Sequence, residues 1–245
     1  LFRSSSPDRN YPSDACSVQA AIGAVNAVAF DISAACAGFI FAMNIVEGFF
    51  KAGIYKTALI IGAETLSKVT DWSDRGTCVL FGDGAGAAVL KAEETGIIDM
   101  MMGADGTKGD VLACTSRTVG NFLTGTKPEL GFMTMDGQEV FKFAVRKVPE
   151  SVLELLNRTG TKKEDIKYYV LHQANERIIE AAARRLKEPM EKFPMTIGQF
   201  GNTSTASIPL LLDDMIQKDM LKRGDKIIMS GFGAGMTWGA VLMEW

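Results

Sequence analysis

The feature that most constrains the fold of this chain is a glycine pattern that occurs twice. Residues 82–86 (Gly-Asp-Gly-Ala-Gly) and 231–235 (Gly-Phe-Gly-Ala-Gly) share it at an offset of 149 residues, each between apolar strand-like segments. A unit of strand, distinctive residue and helix also occurs twice, at Cys36 and His172, at an offset of 136 residues. The same order of two unit types predicts a duplicated α/β architecture. On that interpretation Cys36 and His172 lie at equivalent strand ends facing each other.

Hydrophobic periodicity and capping residues predict the order of elements. Helices are predicted over residues 13–23, 36–53, 139–157, 176–186 and 207–220, and strands over 27–33, 57–62, 78–81, 86–90, 166–171, 226–230 and 238–244. Residues 103–128 are rich in Gly, Thr and Asp and predict a linker or an active-site loop.

Composition narrows the function classes. With 26 Lys plus Arg against 29 Asp plus Glu, the formal charge of −3 does not support a globally basic nucleic-acid surface. Four cysteines without a Cys-x-x-Cys pair argue against a disulfide scaffold and a structural zinc site. The single histidine excludes any mechanism that needs two. The apolar segment 36–55 carries Asn44, Glu47 and Lys51, which indicates a buried helix rather than a membrane span. We expect a cytoplasmic protein.

Three residues are candidates for chemistry. Cys36 stands among small neighbours at a strand-to-helix turn, where the helix N-terminus favours a thiolate; it is either a nucleophile or a buried structural cysteine. His172 ends a buried strand and precedes a helix, a common position for active-site residues in α/β proteins. Asn202, 30 residues later, is either a turn or cap residue or a hydrogen-bond donor to developing negative charge.

Two further patterns remain open. Residues 231–235 can bring backbone N–H groups close to a ligand, but their spacing matches neither a dinucleotide fingerprint nor a P-loop. Arg177, Arg184 and Arg185 follow His172 on one predicted helix. They form either a solvated face or a docking patch for an acidic partner.

Five motifs in this order resemble those of the β-ketoacyl-acyl-carrier-protein synthase III family. They are residues 34–39 (Ala-Ala-Cys-Ala-Gly-Phe), 81–86, 172–175 (His-Gln-Ala-Asn), 201–207 (Gly-Asn-Thr-Ser-Thr-Ala-Ser) and 232–239. The resemblance runs from about Ser5 to Trp245. It implies the thiolase-like α/β fold, with duplicated βαβ halves in an α-β-α-β-α arrangement. Residues 1–97 would form an incomplete first half and 98–245 the second. Roughly 70–80 residues would precede Leu1 by that accounting.

The resemblance also implies a reaction. Cys36 would take an acyl group from a short acyl-CoA such as acetyl-CoA, with the backbone N–H groups of Cys36 and Ala234 as the oxyanion hole. His172 and Asn202 would then stabilise the enolate formed when malonyl-acyl carrier protein loses carbon dioxide. This decarboxylative Claisen condensation initiates fatty acid biosynthesis. Acyl-CoA is a substrate, and no permanently bound cofactor or metal is implied.

The binding residues follow from the same resemblance. The coenzyme A contacts would be Arg75, Gly76, Met135, Gly137, Phe141, Ala174 and Asn175, with Gln138 standing where some relatives have Asn. Arg177, Arg184 and Arg185 would dock the acyl carrier protein. Phe81 and Phe232 would line the acyl pocket, with Tyr11 reaching into it from the partner subunit of a homodimer. Neither nucleic-acid binding nor membrane insertion is implied.

Two alternatives to a fatty-acid priming enzyme stay open. One is a polyketide-type starter-unit synthase or acyltransferase on the same fold, and the other is an inactive structural fragment. Elongating ketosynthases with Cys-His-His are excluded by the single histidine. Hydroxymethylglutaryl-CoA synthase resembles the same fold but uses a glutamate before its nucleophile, and no glutamate precedes Cys36.

Overall fold

The structure, a computed structural model, describes residues 2–3, 6–7, 9–115, 118–129 and 131–245. Ser5, where the resemblance begins, lies outside the described residues. The helices are α1 (Asp14–Ala21), α2 (Gly38–Lys51), α3 (Gly137–Thr159), α4 (Glu176–Leu186), α5 (Ile197–Phe200) and α6 (Ser207–Gln217). The strands are β1 (Phe2–Arg3), β2 (Asp31–Ile32), β3 (Thr57–Glu64), β4 (Gly84–Lys91), β5 (Ile97–Ala104), β6 (Leu112–Cys114), β7 (Met133–Met135), β8 (Ile166–Leu171), β9 (Lys226–Gly233) and β10 (Thr237–Glu244).

Two mixed sheets form the framework. The first has the order β2-β1-β3-β4 and the second has the order β5-β10-β9-β8. In each sheet one strand lies parallel to its neighbour, β1 to β3 and β8 to β9, and the next pair along is antiparallel, β3 with β4 and β9 with β10. A third, two-stranded sheet pairs β6 with β7.

The helices cover the sheets in layers. α2 and α6 form the central layer, because their apolar residues share one core cluster with Ile60 of β3 and with Val170, Ile227 and Val241 of the second sheet. Helices α3 and α4 pack on the opposite face of the second sheet in another core cluster. α1 lies against the outer face of β3, where both line an apolar cavity of about 250 Å³. The expected α-β-α-β-α arrangement is thus confirmed.

The internal duplication has a different register from the one predicted. A 3-10 turn over Ala35–Ala37 precedes α2, and its counterpart over Ser204–Ala206 precedes α6, at an offset of 169 residues. The same offset relates β3 to β9 and the backbone pair Phe2↔Ile61 to Leu171↔Ser230. The predicted equivalence of Cys36 with His172 is therefore wrong. Cys36 corresponds to Thr205, and His172 corresponds to position 3.

The glycine repeat that suggested duplication does not occupy equivalent places. Residues 82–86 lead into β4, which starts at Gly84, whereas residues 231–233 end β9 and so correspond to residues 62–64 at the end of β3. The sheets are duplicated, but the sequence match between the two glycine motifs does not reflect this duplication.

Most predicted elements are confirmed, and two strands are wrong. Residues 27–30 form exposed or half-buried coil, because among the residues that the structure describes β2 pairs with the two-residue strand β1 alone. Residues 78–80 form turns, since the backbone oxygen of Asp74 accepts hydrogen bonds from both Thr77 and Cys78. Residues 103–128 are predicted to form a linker or an active-site loop, but the segment begins with the end of β5 and also contains β6. Among the described residues, no helix combines the length and hydropathy that crossing a membrane requires.

Candidate active site

Cys36 lies in the 3-10 turn at the N-terminus of α2. The turn opens with Ala35 at φ 43°, a left-handed conformation that L residues rarely adopt. Cys36 is 8% exposed, and no disulfide involves it. Because the turn leads directly into α2, the thiol lies at the positive end of the helix dipole.

The end of β9 packs directly against this turn. A Cβ atom added to Gly233 would lie 2.5 Å from the Cys36 nitrogen and 3.1 Å from the Cys36 Cβ, so no other residue fits without displacing the turn. At Gly231, two residues earlier, the nearest atom would be the Cys36 oxygen at 3.5 Å, an ordinary contact. Glycine at 233 is therefore needed for β9 to approach the cysteine, and Ala234 follows immediately.

Two threonine hydroxyls hold the cysteine turn from both sides. Thr205 Oγ1 donates to the Ala35 oxygen at 2.8 Å. Thr237 Oγ1 lies 3.1 Å from the Ala34 oxygen and 3.1 Å from the Ala234 oxygen. These bonds connect the cysteine turn to the turn before α6 and to the β9–β10 connection. Neither threonine was among the predicted site residues, although Thr205 lies in the hydroxyl-rich run that follows Asn202.

His172 follows β8 and is fixed by three contacts. Its backbone nitrogen donates to the Ser230 oxygen at 2.8 Å. Its ring and the Phe232 ring form a T-shaped pair with a centroid distance of 5.4 Å, and Nδ1 lies 2.6 Å from Ser207 Oγ. The side chain is 2% exposed, and this burial lowers the pKa of His172 to about 3. The imidazole is therefore neutral at neutral pH.

Asn202 is 7% exposed and precedes the 3-10 turn that leads into α6. Its backbone nitrogen donates to the Leu80 oxygen at 2.9 Å, and it forms an isolated parallel bridge with Phe81. Its Oδ1 accepts from the Ser204 nitrogen at 2.9 Å. This bond orients the amide, so the Nδ2 group is the donor end of the side chain.

The three candidate segments are far apart in sequence but are joined by contacts in the folded structure. β9 touches both partners, since Ser230 binds the His172 backbone while Gly233 abuts Cys36. The turn after Asn202 binds the cysteine turn through Thr205. The fold thus brings the segments that carry Cys36, His172 and Asn202 to one end of the two sheets.

The predicted coenzyme A contacts fall into two groups. Gly76, Met135 and Gly137 line one cavity of about 700 Å³, together with Asp110, Thr134, Asp136 and Gln138. Arg75 is exposed beside Gly76, and Phe141 is 38% exposed on the following turn of α3. Ala174 and Asn175 lie outside this lining.

Asn175 has a local structural task. Its side chain accepts from the Arg177 nitrogen at 2.9 Å and so caps α4.

The predicted docking arginines are exposed on α4 but differ in their partners. Arg184 lies 3.7 Å from Glu180 on the same helix. Arg185 donates from Nη1 to the Val145 oxygen at 2.7 Å, which ties it to α3. Arg177, at the start of the helix, is exposed as well.

The predicted acyl-pocket residues are spread between core and surface. Phe232 is 3% exposed and packs on His172, and Phe81 is half-buried beside Asn202. Tyr11 is 85% exposed. The first two therefore adjoin site segments, whereas Tyr11 projects from the surface of this chain.

Comparison with known proteins agrees with this geometry. The family model described as 3-oxoacyl-[acyl-carrier-protein] synthase III matches residues 30–106, and the model for the C-terminal part of that synthase matches residues 156–245. The chain is 51% identical to the β-ketoacyl-[acyl-carrier-protein] synthase III of Clostridium acetobutylicum over 100% of its own length and 76% of that protein. It is 53% identical to the synthase III of Clostridium novyi, over 98% of this chain and 74% of that protein.

A solved structure gives the same result in three dimensions. The crystal structure of 3-oxoacyl-[acyl-carrier-protein] synthase III from Aquifex aeolicus superimposes with a TM-score of 0.91 at 44% identity, over 100% of this chain and 76% of that one. The order of motifs, the two-sheet fold and these relatives together lead to one conclusion: the chain belongs to the β-ketoacyl-acyl-carrier-protein synthase III family.

Proposed function

We propose that this protein is a priming condensing enzyme, which joins a short acyl group from acyl-CoA to malonyl-acyl carrier protein and so initiates fatty acid synthesis. The observation that carries the proposal is the packing of Gly233 against Cys36 at the N-terminus of α2. This packing places a thiol, a helix terminus and the backbone of Ala234 together, as an acyl-transfer site requires.

In the first step, the Cys36 sulfur attacks the thioester carbon of acyl-CoA. The backbone N–H groups of Cys36 and Ala234 stabilise the oxyanion, and the coenzyme A thiolate leaves. The product is an acyl thioester on Cys36. The bonds from Thr205 and Thr237 to neighbouring carbonyls support this step, because they fix the turn that presents the nucleophile.

In the second step, malonyl-acyl carrier protein replaces coenzyme A. Loss of carbon dioxide leaves an enolate, whose oxygen accepts hydrogen bonds from His172 and Asn202 Nδ2. The enolate carbon then attacks the acyl carbon, releasing the Cys36 thiolate and a β-ketoacyl-acyl carrier protein. A neutral His172 is compatible with this step because one ring nitrogen of a neutral imidazole still carries a proton that it can donate to the enolate oxygen. One donor of this kind contributes roughly 3–4 kcal/mol to transition-state stabilisation.

The substrate contacts are part of the proposal. Coenzyme A would enter along the cavity lined by Gly76, Met135 and Gly137, with Arg75, Phe141, Ala174 and Asn175 as further contacts. Acidic carrier protein would dock on the exposed helix α4 through Arg177, Arg184 and Arg185. The acyl pocket would be formed by Phe81, Phe232 and the Tyr11 of a second copy in a homodimer. Acyl-CoA serves only as substrate, and the enzyme works in the cytoplasm.

We also propose that the two halves of the fold meet between β4 and β5, near residue 97. Each sheet then belongs to one half, and each half contributes one side of the active site: Cys36 from the first, His172 and Asn202 from the second.

A two-step assay tests this function. The protein is incubated with labelled acetyl-CoA, then with malonyl-acyl carrier protein, and both the label on the protein and the released carbon dioxide are measured. We expect one acetyl group per chain, then a burst of carbon dioxide and a β-ketoacyl product. Cys36→Ala loses the label, whereas Cys114→Ala, which removes an exposed cysteine, keeps it.

The variants of the second step complete the assay. His172→Ala and Asn202→Ala should still accept the acetyl group but release carbon dioxide more slowly by a factor of roughly 100 or more. Unlabelled wild-type protein that is indistinguishable from Cys36→Ala would contradict the proposal and favour an inactive structural chain. Transfer of the acetyl group without any decarboxylation would favour a starter-unit acyltransferase.

A further inference from the structure

We propose that Ser207 is a positioning residue for His172: its hydroxyl donates to Nδ1 and thereby keeps the ring proton on Nε2. The two atoms lie 2.6 Å apart, and both residues are 2% exposed. The inference rests on the proposed function only for what the Nε2 proton does in catalysis. The tautomer itself is a property of the folded chain.

Hydrogen-bond counting fixes the direction of this contact. Ser207 Oγ also accepts from the Gln173 nitrogen at 3.3 Å, and a peptide N–H can only donate. A serine hydroxyl has one proton, and within the described part of the chain Nδ1 is the remaining partner of Oγ. If the ring donated instead, the serine proton would be buried without an acceptor, which costs free energy. The arrangement with all groups satisfied therefore has Nδ1 as acceptor.

The neighbouring residue makes this geometry rigid. Gln173 is 1% exposed, and its side chain donates to the Leu171 oxygen at 2.7 Å and accepts from the Thr196 nitrogen at 3.0 Å. Both bonds hold the 172–173 peptide, whose N–H points at Ser207. The Phe232 ring against the imidazole removes a further degree of freedom.

The consequence for the reaction follows from the ring chemistry. In a neutral imidazole one nitrogen donates and the other accepts. With Nδ1 accepting from Ser207, Nε2–H is a donor that an enolate oxygen can use. In the opposite tautomer the Nε2 lone pair would face the developing negative charge and oppose it.

The single histidine makes the tautomer directly measurable. In wild-type protein labelled with ¹⁵N-histidine, a long-range ¹H–¹⁵N correlation spectrum contains one imidazole. At neutral pH we expect a protonated Nε2 and an unprotonated Nδ1, which resonates at a much higher chemical shift. A protonated Nδ1 in the wild-type spectrum overturns the inference, and no variant needs to fold for this result.

Variants separate positioning from general support. Ser207→Ala should broaden or average the two ring nitrogen signals, whereas Ser207→Thr, which keeps the hydroxyl, should preserve the wild-type pattern. Ser151→Ala is the matched control: Ser151 is 2% exposed, and its hydroxyl donates to the Lys147 oxygen on α3 at 2.7 Å. An unchanged tautomer in Ser207→Ala overturns the inference.

Kinetics distinguish this inference from the proposed function. Ser207→Ala should slow decarboxylation of malonyl-acyl carrier protein roughly tenfold, the equivalent of one net hydrogen bond, and leave acylation of Cys36 within about twofold. Equal loss in both steps, matched by Ser151→Ala, would assign Ser207 a merely structural part. If wild-type protein shows neither step, the proposed function fails while the spectrum still decides the tautomer.

Discussion

The two halves of the molecule carry the same turn with different chemistry. In the first half, the turn Ala35–Ala37 presents Cys36 and opens at φ 43°; in the second, Ser204–Ala206 presents Thr205 and opens at φ 49°. Both turns lead into a helix of the central layer. The duplicated backbone therefore places Cys36 and Thr205 equivalently, and the difference between them lies in what faces each one.

What faces each turn is the end of a strand from the other half. Cys36 meets Gly233, which has no side chain, whereas Thr205 meets Glu64, the residue at the position equivalent to Gly233. Glu64 is 4% exposed, and its Oε1 lies 3.5 Å from the Thr205 nitrogen. One copy of the turn thus has a side-chain-free neighbour, and the other is filled by a carboxylate. The lesson is that duplication supplies the scaffold while single substitutions decide which copy can bind substrate.

The largest expected effect comes from closing the space at the cysteine turn. Gly233→Ala puts a Cβ 2.5 Å from the Cys36 nitrogen, so the turn must shift. We expect acylation of Cys36 to fall roughly 100-fold or more, the magnitude of losing an oxyanion-hole donor. Gly231→Ala is the control on the same strand, because its nearest contact would be 3.5 Å. Equal acylation rates in the two variants would break the comparison.

The second test addresses the filled copy. Glu64→Ala removes the carboxylate that bonds the Thr205 nitrogen and leaves a buried cavity, so we expect a stability loss of about 1–3 kcal/mol in chemical denaturation. Thr205 supports the reaction indirectly, by holding the cysteine turn through its bond to the Ala35 oxygen. Acylation of Cys36 should therefore change far less in Glu64→Ala than in Gly233→Ala. Glu64→Gln, which keeps the shape, should recover much of the stability. Loss of acylation in Glu64→Gln at full stability would show that the second turn takes part in the chemistry.

The third test uses the pH dependence of stability. Burial lowers the pKa of His172 from its ordinary 6.5 to about 3, so below pH 6.5 the unfolded chain binds a proton that the folded chain does not. The free energy of unfolding should therefore fall as the pH drops from 6.5 towards 3, and this contribution is constant above 6.5. In His172→Gln the fall should be smaller. Parallel pH profiles for the two proteins, measured by urea denaturation, would contradict a buried neutral imidazole.

The smallest expected effect concerns the sheet edges. β10 is paired on both sides, with β9 and β5, whereas its counterpart β4 pairs with β3 alone among the described residues. Val89 of β4 is 72% exposed, while Val241 of β10 is fully buried. We expect amides of β4 to exchange with deuterium faster than those of β10, by a local rather than global opening. Equal protection would indicate that β4 is covered in solution.

Local sequence patterns predicted the helices well because the residues that begin and end a helix lie within or next to it in the sequence. α4 matches its predicted range, and α3 ends before Gly160, which adopts φ 67°. The strands at 27–33 and 78–81 failed because a strand needs a partner, and pairing is decided far along the chain. The β5 strand was missed for the same reason: its partner β10 lies about 140 residues later.

The candidate site was predicted in its reactive residues but not in its supports. Cys36, His172 and Asn202 are recognisable from their motifs. The contacts of Thr205 with Ala35, of Ser207 with His172 and of Glu64 with Thr205 join residues 170, 35 and 141 positions apart. The contacts of Thr205 with Ala35 and Glu64 cross between the two halves, whose 169-residue register the glycine repeat at 149 residues misrepresents, whereas Ser207 and His172 both lie in the second half. Geometry was needed to find that register.

The central claim is that only one of the two equivalent turns is a nucleophile site. The direct measurement is peptide mass spectrometry of the protein after brief exposure to labelled acetyl-CoA, with the modified residue located by fragmentation. We predict the acetyl group on Cys36, with the Thr205 peptide unmodified, and discharge of the label when malonyl-acyl carrier protein is added. A stable acetyl group on Thr205, on Cys78, or on no residue would contradict the account.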